Sequence, residues 1–134
     1  MTPTMRGAEG ALRARAIDLL ARDDALAAMV HGIFDGTPPR ASAPYVAVGA
    51  ADGADWGTKD RPGREVRMTL TLVGVGAGID DRAAARIEAV AATLRGAADG
   101  WTVVGVRTIR TRFGFARDGG WRHEFILRCR CLAA

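Results

Sequence analysis

Lysine is nearly missing from this chain of 134 residues: Lys59 is the only one, and the other basic side chains are arginines. The formal net charge of +4 permits contact with nucleic acid without requiring it. Cysteine is also scarce. Cys129 and Cys131 are the only two, which excludes a disulfide framework. In a strand they would share a face with Cα atoms about 6.6 Å apart, and their parallel Cβ vectors would miss the roughly 3.8 Å a disulfide prefers. Buried free thiols are the expectation. No run approaches the roughly 20 apolar residues of a membrane helix, and Met1–Gly10 lacks the apolar centre of a secretory signal. The expected compartment is therefore the cytoplasm, with no membrane partner.

What remains is ordinary globular material: 49% hydrophobic and 25% charged residues, which at this length predicts one domain, residues 1–134. The first ten residues read as a flexible N-terminal arm. Leu12, Ala16, Leu19 and Leu20 predict a helix over 11–22. Asp23 then reads as the N-cap of a short helix over 24–30. Pro38, Pro39 and Pro44 predict an extended loop before a short strand at Tyr45–Gly49. Residues 50–64, rich in Gly and Asp, read as a long mobile loop.

Residues 65–75 alternate cleanly, with Val66, Met68, Leu70 and Leu72 on one face and Arg67, Thr69 and Thr71 on the other. A helix over 82–95 follows, with Ala83, Ala84, Ile87, Val90, Ala91 and Leu94 in one stripe. Residues 101–115 and 121–132 form the last two strands, joined by turn residues Arg117–Gly120. The resulting order, α-β-β-α-β-β, predicts an α+β domain: a largely antiparallel four-stranded sheet with helices packed on one face.

Catalytic and ligand motifs are hard to assemble. Gly74-Val-Gly-Ala-Gly78 lies between strand and helix, but Ile79 stands where a dinucleotide fingerprint needs its third glycine, and no P-loop lysine follows. His123 and Cys131 are about 26 Å apart along one strand, too far to ligate one zinc ion. His31, at a helix end, has the ordinary role of meeting terminal carbonyls. No acidic pair or nucleophile motif fills the roles of an active site. The expectation is a protein that is not an enzyme and carries no metal or cofactor.

Partner recognition is better supported. Arg110 with Arg112, and Arg128 with Arg130, form exposed rows on strands, suited to acidic surfaces through their planar forks. The loop residues Asp52, Asp55, Trp56, Lys59, Arg61 and Arg64 combine mixed charge with one aromatic ring, as expected of a segment that orders on meeting a partner.

Several segments together resemble one family. They are Asp24-Ala-Leu-Ala-Ala-Met-Val30, Ile33-Phe-Asp35, Pro44-Tyr-Val-Ala-Val-Gly49 and Trp56-Gly-Thr-Lys59, followed by the strand after Gly63, the Ala-rich helix and the terminal hairpin. In this the chain is similar to the tail terminators, or tail-completion proteins, of long-tailed bacteriophages and gene transfer agents, over about Leu12 to Leu132. It departs from them at Gly74–Gly78. The resemblance implies a homohexameric ring at the head-proximal end of the tail tube. Such a ring ends tube polymerisation, docks the head-side stopper or connector, and lets DNA pass without sequence-specific binding. It also implies assembly in the bacterial cytoplasm and then residence in a phage or phage-like particle. Two rival readings are a head-tail stopper of the same neck, and a basic nucleic-acid-binding module that uses the open face of the sheet.

Overall fold

The computed structural model describes residues 7–134. Its elements are α1 (Ala8–Ala21), α2 (Asp24–Ala27), β1 (Ile33–Asp35), β2 (Tyr45–Asp55), β3 (Gly63–Val75), α3 (Asp81–Ala92), β4 (Gly96–Ala98), β5 (Trp101–Phe115) and β6 (Gly120–Ala133). The strands form one six-stranded sheet in the order β1-β2-β3-β6-β5-β4. Every pairing is antiparallel except that of β1 with β2, which is parallel.

This corrects the expected four-stranded, largely antiparallel sheet and its α-β-β-α-β-β order. The sheet is mixed and curled, it has six strands, and three helices accompany it. The two extra strands, β1 and β4, are three residues long, too short to show a period of two. Register shifts between Val48 and Ala51 in β2, and at Val103/Gly105 and Thr108/Arg110 in β5, bend the strands and increase their twist.

The expected mobile loop over 50–64 is also corrected. Residues through Asp55 continue β2, and Gly63 already begins β3. Ala, Asp and Gly have poor strand propensity, but cross-strand pairing with Met68–Arg64 overrides it. The connection is a tight turn. Trp56 N–H donates to the Gly63 carbonyl at 3.0 Å, and Thr58 N–H to that of Arg61 at 2.9 Å. Of the expected N-terminal arm, Ala8–Gly10 lie in α1, while residues 1–6 fall outside those described.

One face of the sheet carries the main core, and on the other Tyr45, Ala47 and Val73 form a smaller buried cluster with Phe34 and Ala43. In the main core Val46, Val48, Val66, Met68, Leu70, Leu72, Phe125, Leu127, Cys129 and Cys131 pack against Leu12, Ala16 and Leu20 of α1 and Ala83, Ile87 and Val90 of α3. Three arginines tie the helices down. Arg15 gathers the carbonyls at the end of α3, with Nε on Leu94 at 2.9 Å and Nη2 on Thr93 and Arg95 at 3.0 and 2.9 Å. These carbonyls would otherwise lack intrahelical donors. Arg13 donates to the Gly49 and Val48 carbonyls at 2.7 and 2.8 Å, beside the bulge in β2, and pairs with Asp35.

Arg86 joins α3 to Asp23 by two hydrogen bonds, and the same carboxylate caps α2 by accepting from Leu26 N–H at 2.9 Å. The hydrogen bond from Arg86 holds the Asp23 pKa below 3.8, with the Leu26 bond acting the same way against desolvation. Loss of the cap alone makes Asp23→Ala cost about 1–2 kcal/mol at neutral pH. Because the folded pKa is depressed, the ionic part of that stabilisation is complete above the unfolded value and disappears as pH falls through the folded one. Urea unfolding of both forms should therefore show a gap at pH 7 that narrows below pH 3.8. An equal gap at both pH values would exclude the carboxylate charge as its source.

Candidate assembly surface

The sheet face opposite the core is set by the alternation of the strands. Residues that pair across strands share a face, so the register reads out this surface directly. One rung runs Asp52–Arg67–Arg128–Arg107 across β2, β3, β6 and β5. The next on one side is Ala54–Glu65–Arg130–Gly105, and on the other side lie Thr69–Ile126–Arg110 and Thr71–Glu124–Arg112. The result is a face dense in arginine, with Asp52, Glu65 and Glu124 as its few carboxylates.

Arg107, Arg110 and Arg112 belong together only because of the irregularity at Thr108/Arg110. Strict alternation would turn Arg107 to the side opposite its neighbours. The bulge inserts one residue, Ile109, and restores all three to the outer face. Arg107 was therefore not visible as a member of this surface in the sequence. Glu124, by contrast, shares a face with Arg128 and Arg130 by simple alternation along the strand.

The ten residues singled out from sequence separate into three groups. Asp52, Arg110, Arg112, Arg128 and Arg130 share the outer face. Trp56 joins them: the Arg130 guanidinium lies 5.4 Å from the centroid of its ring, a cation–π contact. Arg130 also holds Glu65, Nε to Oε2 at 3.0 Å. Asp55 and Arg64 pair with each other and with Cys131, so they point to the helix side of the sheet. Lys59 is exposed in the turn, and Arg61 donates to the Ala133 carbonyl.

Arg128 and Arg130 thus differ in kind. Arg130 is engaged within the chain. Among the described residues no ion pair reaches Arg107, Arg110, Arg112 or Arg128, and Arg67 has only a long contact of 4.0 Å to Glu65. Arginines paired directly across a sheet repel; Asp52 and Glu65 stand beside Arg67 at one end of the rung, while Arg128 and Arg107 have no ion pair among the described residues.

A second surface lies at the end of the sheet where β3 stops and the β5–β6 hairpin turns. Val75, Ile79 and Phe115 are 66%, 45% and 68% exposed there. Phe115 meets Phe113 edge-on at 5.4 Å, and Phe113 leans on Trp121 at 5.5 Å. The glycine turn borders an open cleft of about 400 Å³ that also contains Asp80, Asp81 and Arg82. Two carboxylates at the start of α3 oppose a phosphate there, whatever the helix dipole offers.

The two thiols face the core. Burial pushes Cys129 up to about 12 and Cys131 to about 11, so neither supplies a thiolate near neutral pH. A thiol reagent at pH 8 is expected to leave both unmodified in the folded protein and to label both in guanidinium. Rapid labelling of the native chain would show that this part of the core opens. His123 is kept neutral mainly by burial, which lowers its pKa; its ring stacks on Phe125 at 4.4 Å. Among the described residues no three His, Cys, Asp or Glu side chains gather as metal ligands, and no helix is long and apolar enough to cross a membrane.

A family model described as tail completion protein gp17 matches residues 14–132. The chain belongs to this family. Among solved structures it is similar to a chain from the "Virion of native gene transfer agent (GTA) particle", with a TM-score of 0.82 and 25% identity, covering 96% of this chain and 100% of that one. No curated protein matches it. As a tail-completion protein the chain has a structural role in a phage-type tail. That role asks for protein surfaces, and the arginine face and the exposed apolar end are the surfaces it presents.

Proposed function

We propose that this tail-completion protein is a tail terminator that works by binding alone. Copies close into a hexameric ring on the head-proximal end of the tail tube, stop tube polymerisation, and offer the opposite ring face to the head-side stopper or connector. DNA passes through the channel without sequence readout. Assembly takes place in the bacterial cytoplasm, and the ring stays in the finished phage or phage-like particle. The observation that carries this reading is the family match over residues 14–132 on a fold whose arginine face is left uncovered by its helices.

A closed ring uses heterologous contacts, so each copy needs two different lateral patches in addition to its two axial ones. The exposed Val75, Ile79 and Phe115 suit an axial contact, where apolar side chains become buried on docking. Trp56 is already covered by Arg130 and does not offer the free stacking face that single-stranded nucleic acid uses.

The test is negative-stain imaging of the purified protein, alone and mixed with its tail tube protein. Rings, or tubes of arrested length capped at one end, are the expected result. Tubes that grow without limit while the chain stays unbound would sink the terminator reading. Binding to the portal complex in place of the tube would favour the head-tail stopper.

A further inference from the structure

Both edges of the sheet are open for part of their length, and the open parts are complementary. β1 covers β2 only at Val46–Val48. Among the described residues, no strand pairs with the outer side of β2 from there to Asp55. β4 covers β5 only at Trp101–Val103, and among the described residues β5 is unpaired on that side as far as Phe115. A long strand with unpaired N–H and C=O groups is a template for another strand. β5 runs antiparallel to β2, because the intervening β3 and β6 each reverse direction.

The charges at the two edges have opposite sign on the same level. Asp52 begins the rung that Arg107 ends. Both are exposed, and Arg107 has no ion pair among the described residues. Cyclic symmetry has no rise along its axis, so with the axis along the strands each residue meets its own level in the next copy. Asp52 then falls beside Arg107. Two residues along, on the same face, Ala54 falls beside Gly105. A Cβ at Gly105 would meet nothing within 4 Å, and its φ lies outside the glycine-favouring region. The glycine borders the bulge at Val103/Gly105, and no side chain of the chain itself fills the space beside it. A glycine in a strand often marks a place where another backbone comes close.

We propose that neighbouring copies join edge to edge, with β5 of one pairing antiparallel to the 50–55 stretch of β2 in the next, and Arg107 set against Asp52. This rests on the ring reading above and names its lateral seam. The sheet then continues from copy to copy, and each Asp52 relieves the repulsion within an Arg67–Arg128–Arg107 row.

The test uses the full chain with its tail tube protein and three variants: Arg107→Glu, Asp52→Lys, and the two combined. Each single change places like charges at every seam and is expected to raise the protein concentration needed for ring formation by about tenfold or more, the scale of like-charge contact at an interface. The combined variant restores an opposite pair at every seam and is expected to recover most of the loss. All three should unfold at nearly the temperature of the unmodified chain. Hydrogen exchange adds a backbone readout: amides within 50–55 and 104–115 should slow on assembly.

Singles that assemble like the unmodified chain, or a combined variant no better than the singles, overturn the seam. So do rings in which those amides exchange as fast as in the free protein; in that case the ring reading survives and this inference does not. If the unmodified chain forms no ring even with tube protein, both fall together.

Discussion

Phe125→Ala is expected to destabilise the fold by about 3–5 kcal/mol, the largest effect of any single truncation considered. Phe125 is 1% exposed and among the largest fully buried side chains. It lies on β6, the strand at the centre of the long antiparallel triple β3-β6-β5, opposite Leu70 and Thr111, and its ring supports that of His123 at 4.4 Å. Removing it loses the transfer energy of the ring and leaves a cavity that paired strands cannot close. For a domain of this size the expected fall in melting temperature is on the order of 10–20 °C. Denaturant unfolding monitored by circular dichroism measures it. A loss below about 1 kcal/mol would mean that the sheet and helices can collapse into the space, contrary to close packing of the interior.

Gly74→Ala is expected to be the second most disruptive change, although it adds a single methyl group. A Cβ at this position would lie 2.1 Å from Cζ2 of Trp121 and 2.3 Å from Cε2, well inside van der Waals contact. The indole is 3% exposed and occupies the space that a Cβ at Gly74 would need. It must rotate away, and its contact with Phe113 at 5.5 Å goes with it. Overpacking of this kind costs about 1–3 kcal/mol, and Gly74→Val should cost more. Tryptophan emission should shift to the red as the ring gains solvent. Gly105→Ala provides the contrast, because a Cβ there has open space; within the isolated chain it should change stability by no more than about 0.5 kcal/mol. Equal behaviour of the two glycine variants would remove the steric explanation.

These two sites also show where sequence reasoning succeeds and where it stops. Phe125 is identifiable from β6 alone: Trp121, His123, Phe125, Leu127, Cys129 and Cys131 recur with period two, and all six are buried. Long segments with a consistent period declare their buried face because alternation is a property of the local chain. The cap at Asp23 is legible for the same reason, since an N-cap acts on its own next turn. Gly74 is different. Its neighbour Trp121 is 47 positions away, and a glycine run before a helix looks like turn chemistry until β3 and β6 are paired in register.

The candidate surface divides along the same line. The arginine rows of β6 are evident in the sequence, as is the presence of one aromatic ring in the β2–β3 connection. That Trp56 lies on Arg130, that Arg64 and Asp55 turn to the opposite side, and that Arg107 joins Arg110 and Arg112 are consequences of register and of a bulge. A one-residue slip reverses every face, and nothing in a single strand reports the slip in advance.

By itself, then, the sequence determined the buried faces of the long elements, the caps, the inert thiols and the family, all of which rest on neighbours a few positions apart or on motifs carried intact. Only the tertiary structure decided that there are six strands and not four, that β1 is parallel, that the edges of β2 and β5 stay open, and that Asp52 and Arg107 stand on one level. Those outcomes depend on which distant segments win the competition to pair. That competition is settled by the summed burial of a whole sheet, which no local pattern contains.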